Sequence, residues 1–217
     1  MSDIFREIDE EVRREQLMKL WERYGTWLIA ACVVVILAVA GWRIYEWQQN
    51  EKAAAAGAKF EAAVALANEG KTNEAEEAFA RIAGDGTASY RVLAKLREAG
   101  EQARQDPKAA VAAYDQLAAD GSIGQVFQDL AALRAGTLLV DTASYADLKQ
   151  RLEPLTAPNR AFRHSARITL ALSAWRANDI AAMRQWSDMI LADAETPSGA
   201  RGQAQMLLAL ADSEKKS

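Results

Sequence analysis

Between Arg23 and Arg43 the chain carries no formal charge, and no other feature restricts its fold as much. At 1.5 Å rise per residue, the uncharged stretch 24–42 makes a helix roughly 28 Å long, close to the roughly 30 Å hydrocarbon thickness of a bilayer. Its centre, 29–40, is almost continuous Val, Ile, Leu and Ala, with the one cysteine, Cys32, inside it. Trp21, Tyr24 and Trp27 flank one end; Trp42, Tyr45 and Trp47 flank the other. Amphipathic rings are favoured in the two headgroup layers, so these six residues are expected to anchor a transmembrane helix at its interfaces. A lone thiol closes no intramolecular disulfide, so the remainder of the chain must be held by packing.

Ala38-Val39-Ala40 before Gly41 also fits a signal-peptide cleavage site, the alternative to a retained anchor. Against cleavage stand the long preceding segment 1–23, rich in acidic side chains, and the second aromatic belt, which would have no role at a freed terminus. Orientation follows from nearby Lys and Arg. Ahead of the span, 9–23 holds Arg13, Arg14, Lys19 and Arg23; behind it, 43–57 holds Arg43 and Lys52. Residues 1–23 are therefore expected as a cytoplasmic tail, 24–42 as the anchor and 43–217 as a domain across the membrane, periplasmic in a Gram-negative cell. Ile4, Phe5, Ile8 and Val12 fall at helical spacing, which favours a helical extension of the anchor. Gly25 and Ile29 do not complete a small-xxx-small pair, so the anchor itself gives no reason for dimerisation.

Beyond residue 45 alanine is abundant and Val, Ile and Thr are sparse, which favours helix over sheet. The sequence also repeats. Residues 79–86 read FARIAGDG and 114–121 read YDQLAADG, a register of 35. One helical turn before each aromatic stands an alanine, Ala75 before Phe79 and Ala110 before Tyr114, and the pairing returns as Leu148 with Leu152 and Ala182 with Trp186. A second series interleaves: YRVLAKLR at 90–97, FQDLAALR at 127–134, then Phe162, Ala166, Ile168 and Ala171. The steps from Ala99 to Ala110, from Gly136 to Leu148 and from Ala171 to Ala182 are nearly equal, as one loop geometry joining each helix pair requires.

Two antiparallel helices approach closely where small side chains face each other, and an aromatic or aliphatic one turn on fills the adjoining hollow. Turn chemistry agrees with that spacing. Asp106-Pro107 supplies an N-cap and a proline in the first helical turn, Asp85-Gly86 and Asp120-Gly121 end helices, and Asn178-Asp179 marks a turn. The reading is an all-α chain: a transmembrane helix, then a solenoid of about four hairpins at 53–83, 88–119, 124–153 and 160–193, closed by a capping helix at 197–214. The first breaker after the span is Gly57, so the anchor helix is expected to run on into the first hairpin. The closing helix, with its Glu-Lys-Lys-Ser tail, reads as a polar cap.

The recurring small-x3-aromatic pairs and the near-34-residue period resemble tetratricopeptide repeats. Phe/Tyr with Leu-Ala replaces the tryptophan and leucine-glycine signature of their first helix, and the inter-repeat proline is missing. With the opening SDIFREIDEEVRREQLMKLWERYG and its apolar run, the chain resembles the YfgM-like family, ancillary subunits of the bacterial SecYEG translocon. That resemblance implies an inner-membrane protein whose periplasmic repeat domain associates with the translocon and with periplasmic chaperones.

Nothing in the chain spells an enzyme. The one histidine, His164, lies between Arg163 and Arg167 on a predicted helix, with no second His or extramembrane Cys to complete a metal site or triad. Glu76-Glu77 falls on a polar helix face, no phosphate-binding glycine loop is present, and no cofactor is expected. The net charge of -4 and the lack of a cationic patch argue against nucleic acid. Arg97 and Arg134 occupy equivalent positions in successive repeats. They are candidates to grip acidic groups or a carboxyl terminus of a partner; the competing reading is a solvated face or salt bridges to neighbouring carboxylates. A scaffold for envelope assembly unrelated to secretion, or a cell-wall enzyme, are the alternatives to a tethered export scaffold.

Overall fold

In a computed structural model, the backbone is described for residues 3–214 and the side chains for residue 18 and 21–213. Ile4, Phe5, Ile8 and Val12, expected as an apolar stripe, thus lie outside the described side chains. Among the described residues there are nine α-helices and no strand. Contacts divide the chain into two compact units, Met1–Ala55 and Ala56–Ser217. Helix α1 (Asp3–Asn68) runs through that boundary without a break, as expected from the absence of a breaker after the span.

In the first unit the described large apolar side chains are all exposed. None of the most apolar window is buried, and α1 is the one described helix long and apolar enough to cross a membrane or serve as a signal anchor. Trp27, Trp42 and Trp47 are all more than 60% exposed, and Ile36 and Leu37 equally so. A stretch apolar on every side is the pattern of a membrane span or of a helix covered by protein. Local contacts are those of a lone helix: the Arg23 guanidinium lies 5.9 Å from the Tyr24 ring centre, and Gln49 donates to the Tyr45 hydroxyl at 3.1 Å.

The second unit holds the end of α1 and then α2 (Thr72–Asp85), α3 (Ala88–Gln102), α4 (Pro107–Ala119), α5 (Gln125–Leu139), α6 (Tyr145–Leu152), α7 (Arg163–Arg176), α8 (Ile180–Ala192) and α9 (Ser198–Glu214). Short 3-10 turns occupy Gly121–Ile123 and Glu153–Thr156. The expected hairpins are these helices taken in pairs. Asp106 accepts from the Lys108 and Ala109 amides at 3.1 and 3.0 Å, with Pro107 beside it, and Asp179 caps α8 by accepting from the Ala182 amide at 2.9 Å. Ser144 caps α6 in the same way. Asn178 takes a left-handed φ of 59° to end α7.

The core runs along the stack as successive clusters. Phe79 and Ala75 are fully buried and meet Phe60 from α1 and Tyr90 from α3; the Phe60 ring lies 5.4 Å from Phe79 and 5.7 Å from Tyr90. Tyr114 and Leu117 pack with Leu96, Ala99, Ala131 and Ala135 in the next cluster. Leu148, Leu152, Leu170, Met183 and Trp186 form the largest. The small-against-large rule is literal at Gly136, where an added Cβ would stand 2.8 Å from both methyls of Leu152. At Gly86 the same atom would come 2.5 Å from the Ile82 carbonyl oxygen, which admits no side chain.

Two details differ from expectation. In the fourth hairpin Ala182 is only partly buried, and Met183 takes the fully buried place next to it. The Trp186 indole donates to the Tyr145 hydroxyl at 2.9 Å, so this ring is positioned by a polar partner as well as by packing. The Glu-Lys-Lys-Ser tail expected to make the closing helix a polar cap lies outside the described side chains, and the described part is only partly polar. It buries Ala204, Leu207 and Ala211, yet Met206 is 65% and Leu210 40% exposed on its outer face.

Candidate protein-binding face

Arg97 sits on α3 and Arg134 on α5, both exposed. Between these helices in sequence, α4 carries Tyr114, 4% exposed, whose hydroxyl donates to the Leu96 carbonyl at 3.2 Å. Burial pushes the Tyr114 phenol up; the Arg134 and Arg97 charges pull against it, and Glu101 adds to the rise. Both arginines and one glutamate thus act electrostatically on the same hydroxyl, where α3, α4 and α5 meet. The two residues stand a full repeat apart in sequence, on two of the helices whose apolar sides share the Tyr114 cluster.

What surrounds them decides what they can do. Among the described residues neither guanidinium has a carboxylate within ion-pair distance, so the salt-bridge explanation does not account for them. Glu101 is 6% exposed, and its Oε2 lacks a hydrogen-bond partner; Arg104 Nε stands 3.2 Å away but out of line for one. Thr169, the counterpart in α7, is buried and donates to the Ser165 carbonyl at 3.0 Å, so the series stops at two. A face with two uncommitted guanidiniums suits an acidic or carboxylate group, since each guanidinium can offer a forked pair of donors.

The remaining expected residues fall elsewhere. Trp21, Tyr24, Trp27, Trp42, Tyr45 and Trp47 lie on α1 in the first unit, each more than half exposed. Glu77 faces solvent with Arg81 3.9 Å away. The His164 Nδ1 lies 3.1 Å from Thr196 Oγ1, whose own proton goes to the Ile190 carbonyl at 2.7 Å, so the imidazole donates. Burial and the Arg163 charge hold its pKa below the ordinary value, and at neutral pH it is uncharged. Among the described residues no three His, Cys, Asp or Glu side chains converge as metal ligands would.

The shaped depressions are clefts between neighbouring helices. One of about 380 Å³ lies between α3 and α4, lined by Lys95, Glu98, Gln102, Gln116 and Asp120. Burial and the Glu76 charge raise the Glu98 carboxyl there. Another of about 420 Å³ lies over Leu139, Leu148 and Arg151.

Sequence reasoning missed a polar knot at the far end of the stack. Asp193 accepts from Arg163 Nε at 2.9 Å, from Arg167 Nη1 at 3.0 Å and from the Glu195 amide at 3.0 Å. Arg163, above all, holds its carboxyl far below the usual carboxylate range. Arg167, nearly buried, also donates to the Thr156 carbonyl at 2.9 Å. Partners 26 to 30 residues apart leave no local pattern; the i, i+4 spacing of Arg163 and Arg167 at the start of one helix was the available signal.

A family model for the tetratricopeptide repeat-like domain matches residues 18–167, more than half of the sequence. The chain belongs to this tetratricopeptide repeat-like family. The matched stretch begins just ahead of the apolar run and ends in α7, so the family pattern takes in the apolar helix together with most of the repeats. No curated protein and no solved structure matches the chain. Membership carries the reading of a protein-interaction scaffold, in keeping with a stack of hairpins whose outer faces stay open.

Proposed function

We propose that this protein is a membrane-tethered interaction module, without catalytic activity, that serves protein export. The span within α1 holds it in the inner membrane, with the N-terminal tail cytoplasmic and the repeat domain periplasmic. The face carrying Arg97 and Arg134 receives acidic or carboxyl-terminal groups of partner proteins. The partners are the SecYEG translocon and periplasmic chaperones, as the YfgM-like resemblance implies. The observation that carries the reading is the pair of exposed, unpaired arginines at equivalent places in successive repeats of a scaffold-forming family. Tethering supports it further, because confinement at one membrane raises effective concentration and lets weak contacts suffice.

The test is in-cell photo-crosslinking from position 97 in the full chain. Adducts with translocon subunits are expected. They should fall by roughly ten-fold when Arg134 is changed to Glu, since opposite charge at a shared anion site reverses the attraction. Helix content and thermal midpoint of Arg134→Glu should match wild type, because the side chain is exposed and unpaired. Adducts confined to envelope-assembly proteins would replace the secretory reading; muropeptide release lost on a single carboxylate change would replace the scaffold reading altogether.

A further inference from the structure

Two equivalent joints of the repeat stack are finished differently. In the register that sets 90–97 on 127–134, Arg91, Val92 and Lys95 of α3 correspond to Gln128, Asp129 and Ala132 of α5. The joint at α5 is closed by the chain itself. Gln128 donates to the Ala118 carbonyl at the end of α4 at 3.2 Å, and the nearly buried Asp129 is held by Arg160, from the segment ahead of α7, at 3.1 Å. The joint at α3 lacks both closures. Val92 stands in the place of the carboxylate, and the segment ahead of α5 offers Ile123 and no arginine. A cleft of about 440 Å³ remains there, between Ala83 and Gly84 of α2, Arg91, Val92 and Lys95 of α3, and Asp120 and Ile123. Arg91 and Lys95 are exposed, and among the described residues neither has a carboxylate within ion-pair distance. Asp120 is engaged by Ser122, whose amide and hydroxyl donate to it at 2.9 and 2.6 Å.

The cleft shares Lys95 and Asp120 with the one of about 380 Å³ that follows α3 and α4 to Gln102 and Gln116. Arg91, Lys95, Glu98 and Gln102 fall within about 60° of one another at 100° per residue, a strip roughly 16 Å long. Ala99 and Leu117, both buried, give it an apolar lining. We propose that this strip binds an extended peptide segment of a partner protein, with a carboxylate between Arg91 and Lys95 and the main chain running toward Gln102 and Gln116. Two uncommitted cations, at a joint whose counterpart supplies its own opposite charges, fit an incoming anion. A strip of this length takes roughly five extended residues at about 3.3 Å each. An inorganic anion would use the cations alone. The apolar lining and the side-chain amides, each both donor and acceptor, suit a main chain. Glu98, partly buried midway, adds an acceptor for a peptide N–H and repels a second acidic side chain there. Arg97 is turned about 120° from Arg91 round α3, so this site is separate from the face assigned above and does not rest on it.

The experiment measures fluorescence anisotropy with the full chain in detergent. The probes are a fluorescein-labelled pentapeptide of alternating alanine and valine with a free carboxyl terminus, the same peptide amidated, and the amidated peptide ending in glutamate. The free acid should bind saturably, and amidation should weaken it roughly ten-fold, as loss of a charge-assisted contact implies. Recovery with the glutamate peptide would assign the site to any carboxylate; no recovery would assign it to a chain terminus. Arg91→Gln with Lys95→Ala, which copies α5, should weaken the free acid roughly ten-fold or more at unchanged helix content and thermal midpoint. Gly84→Leu should also weaken it without removing a charge, since an added Cβ there meets nothing within 4 Å and the side chain takes up cleft space. Arg81→Gln, which removes a cation already 3.9 Å from Glu77, should leave the affinity as it was. Equal binding of acid and amide, an affinity untouched by the double substitution, or inorganic phosphate binding where no peptide does would each overturn the proposal.

Discussion

At the scale of single residues, the structure places its strongest charge economy around Asp193 and not at the candidate binding face. Arg163, Arg167 and the Glu195 amide all donate to one carboxylate, and they fasten the start of α7 to the segment after α8. A carboxyl held below its ordinary pKa of about 3.9 stabilises the fold above that pH and loses the contribution as pH falls further. His164 beside it acts at a higher pH. Its pKa is depressed, so the unfolded chain takes up a proton first, and stability declines as pH falls through about 6.5. Urea midpoints followed from pH 7 to pH 2 should therefore show two acid limbs. His164→Gln should remove the upper limb and leave the lower; Asp193→Asn should lower the plateau at neutral pH and flatten the limb below about pH 4. A single limb unchanged by both substitutions would assign acid lability to other groups.

At the scale of elements, what was readable in the sequence is what depends on near neighbours. Asp106-Pro107 predicts the start of α4 because an N-cap satisfies amides two and three residues on, and both bonds are present. The pairs Ala75–Phe79, Ala110–Tyr114 and Leu148–Leu152 are buried as the repeat register requires, since one helix face buries every fourth residue. Two consequences follow for stability. Asp106→Ala should cost about 1 kcal/mol as the lost cap. Phe79→Ala should cost about 3–5 kcal/mol, as it empties a fully buried site between α1, α2 and α3. Denaturant titration of the full chain in detergent separates the two; similar losses from both would mean the Phe79 cluster collapses to fill the void. Unreadable were contacts whose partners lie in other hairpins. Arg151 of α6 grips Asp115 of α4, and Arg160 holds the nearly buried Asp129 at 3.1 Å, across 36 and 31 residues. Pairs at such separations leave no periodic trace. The bond from the Trp186 indole to the Tyr145 hydroxyl was hidden for a similar reason, since it spans 41 residues. Arg97 and Arg134 were legible as repeat equivalents, but their want of carboxylate partners and their common influence on Tyr114 emerge only when α3, α4 and α5 are assembled.

At the scale of the molecule, the two compact units obey opposite rules. The repeat unit buries alanine, leucine and aromatics, and the few charges it buries, Glu101, Asp129 and Arg167, each face an opposite charge. The other leaves Val34, Val35, Ile36 and Leu37 more than 60% exposed, and among the described residues it has no second element to cover them. In water that surface would be a large exposed apolar patch, which drives association or insertion. In a bilayer it is matched, and the aromatic residues near its ends fall where rings are favoured. A charge near the middle of such a helix costs about 2.5–3.5 kcal/mol on insertion. Val34→Arg with Leu37→Arg should therefore move the chain from the carbonate-resistant membrane pellet to the soluble fraction, while Trp27→Ala should not. Orientation is the finer expectation and rests on a small bias. Replacing Arg13, Arg14 and Lys19 by Gln leaves Arg23 before the span against Arg43 and Lys52 after it. An alkaline phosphatase fusion at the C-terminus, active only across the membrane, should then lose a large part of its signal. Full signal after that change would mean that the bulk of the repeat unit, and not the flanking charge, decides which side it occupies.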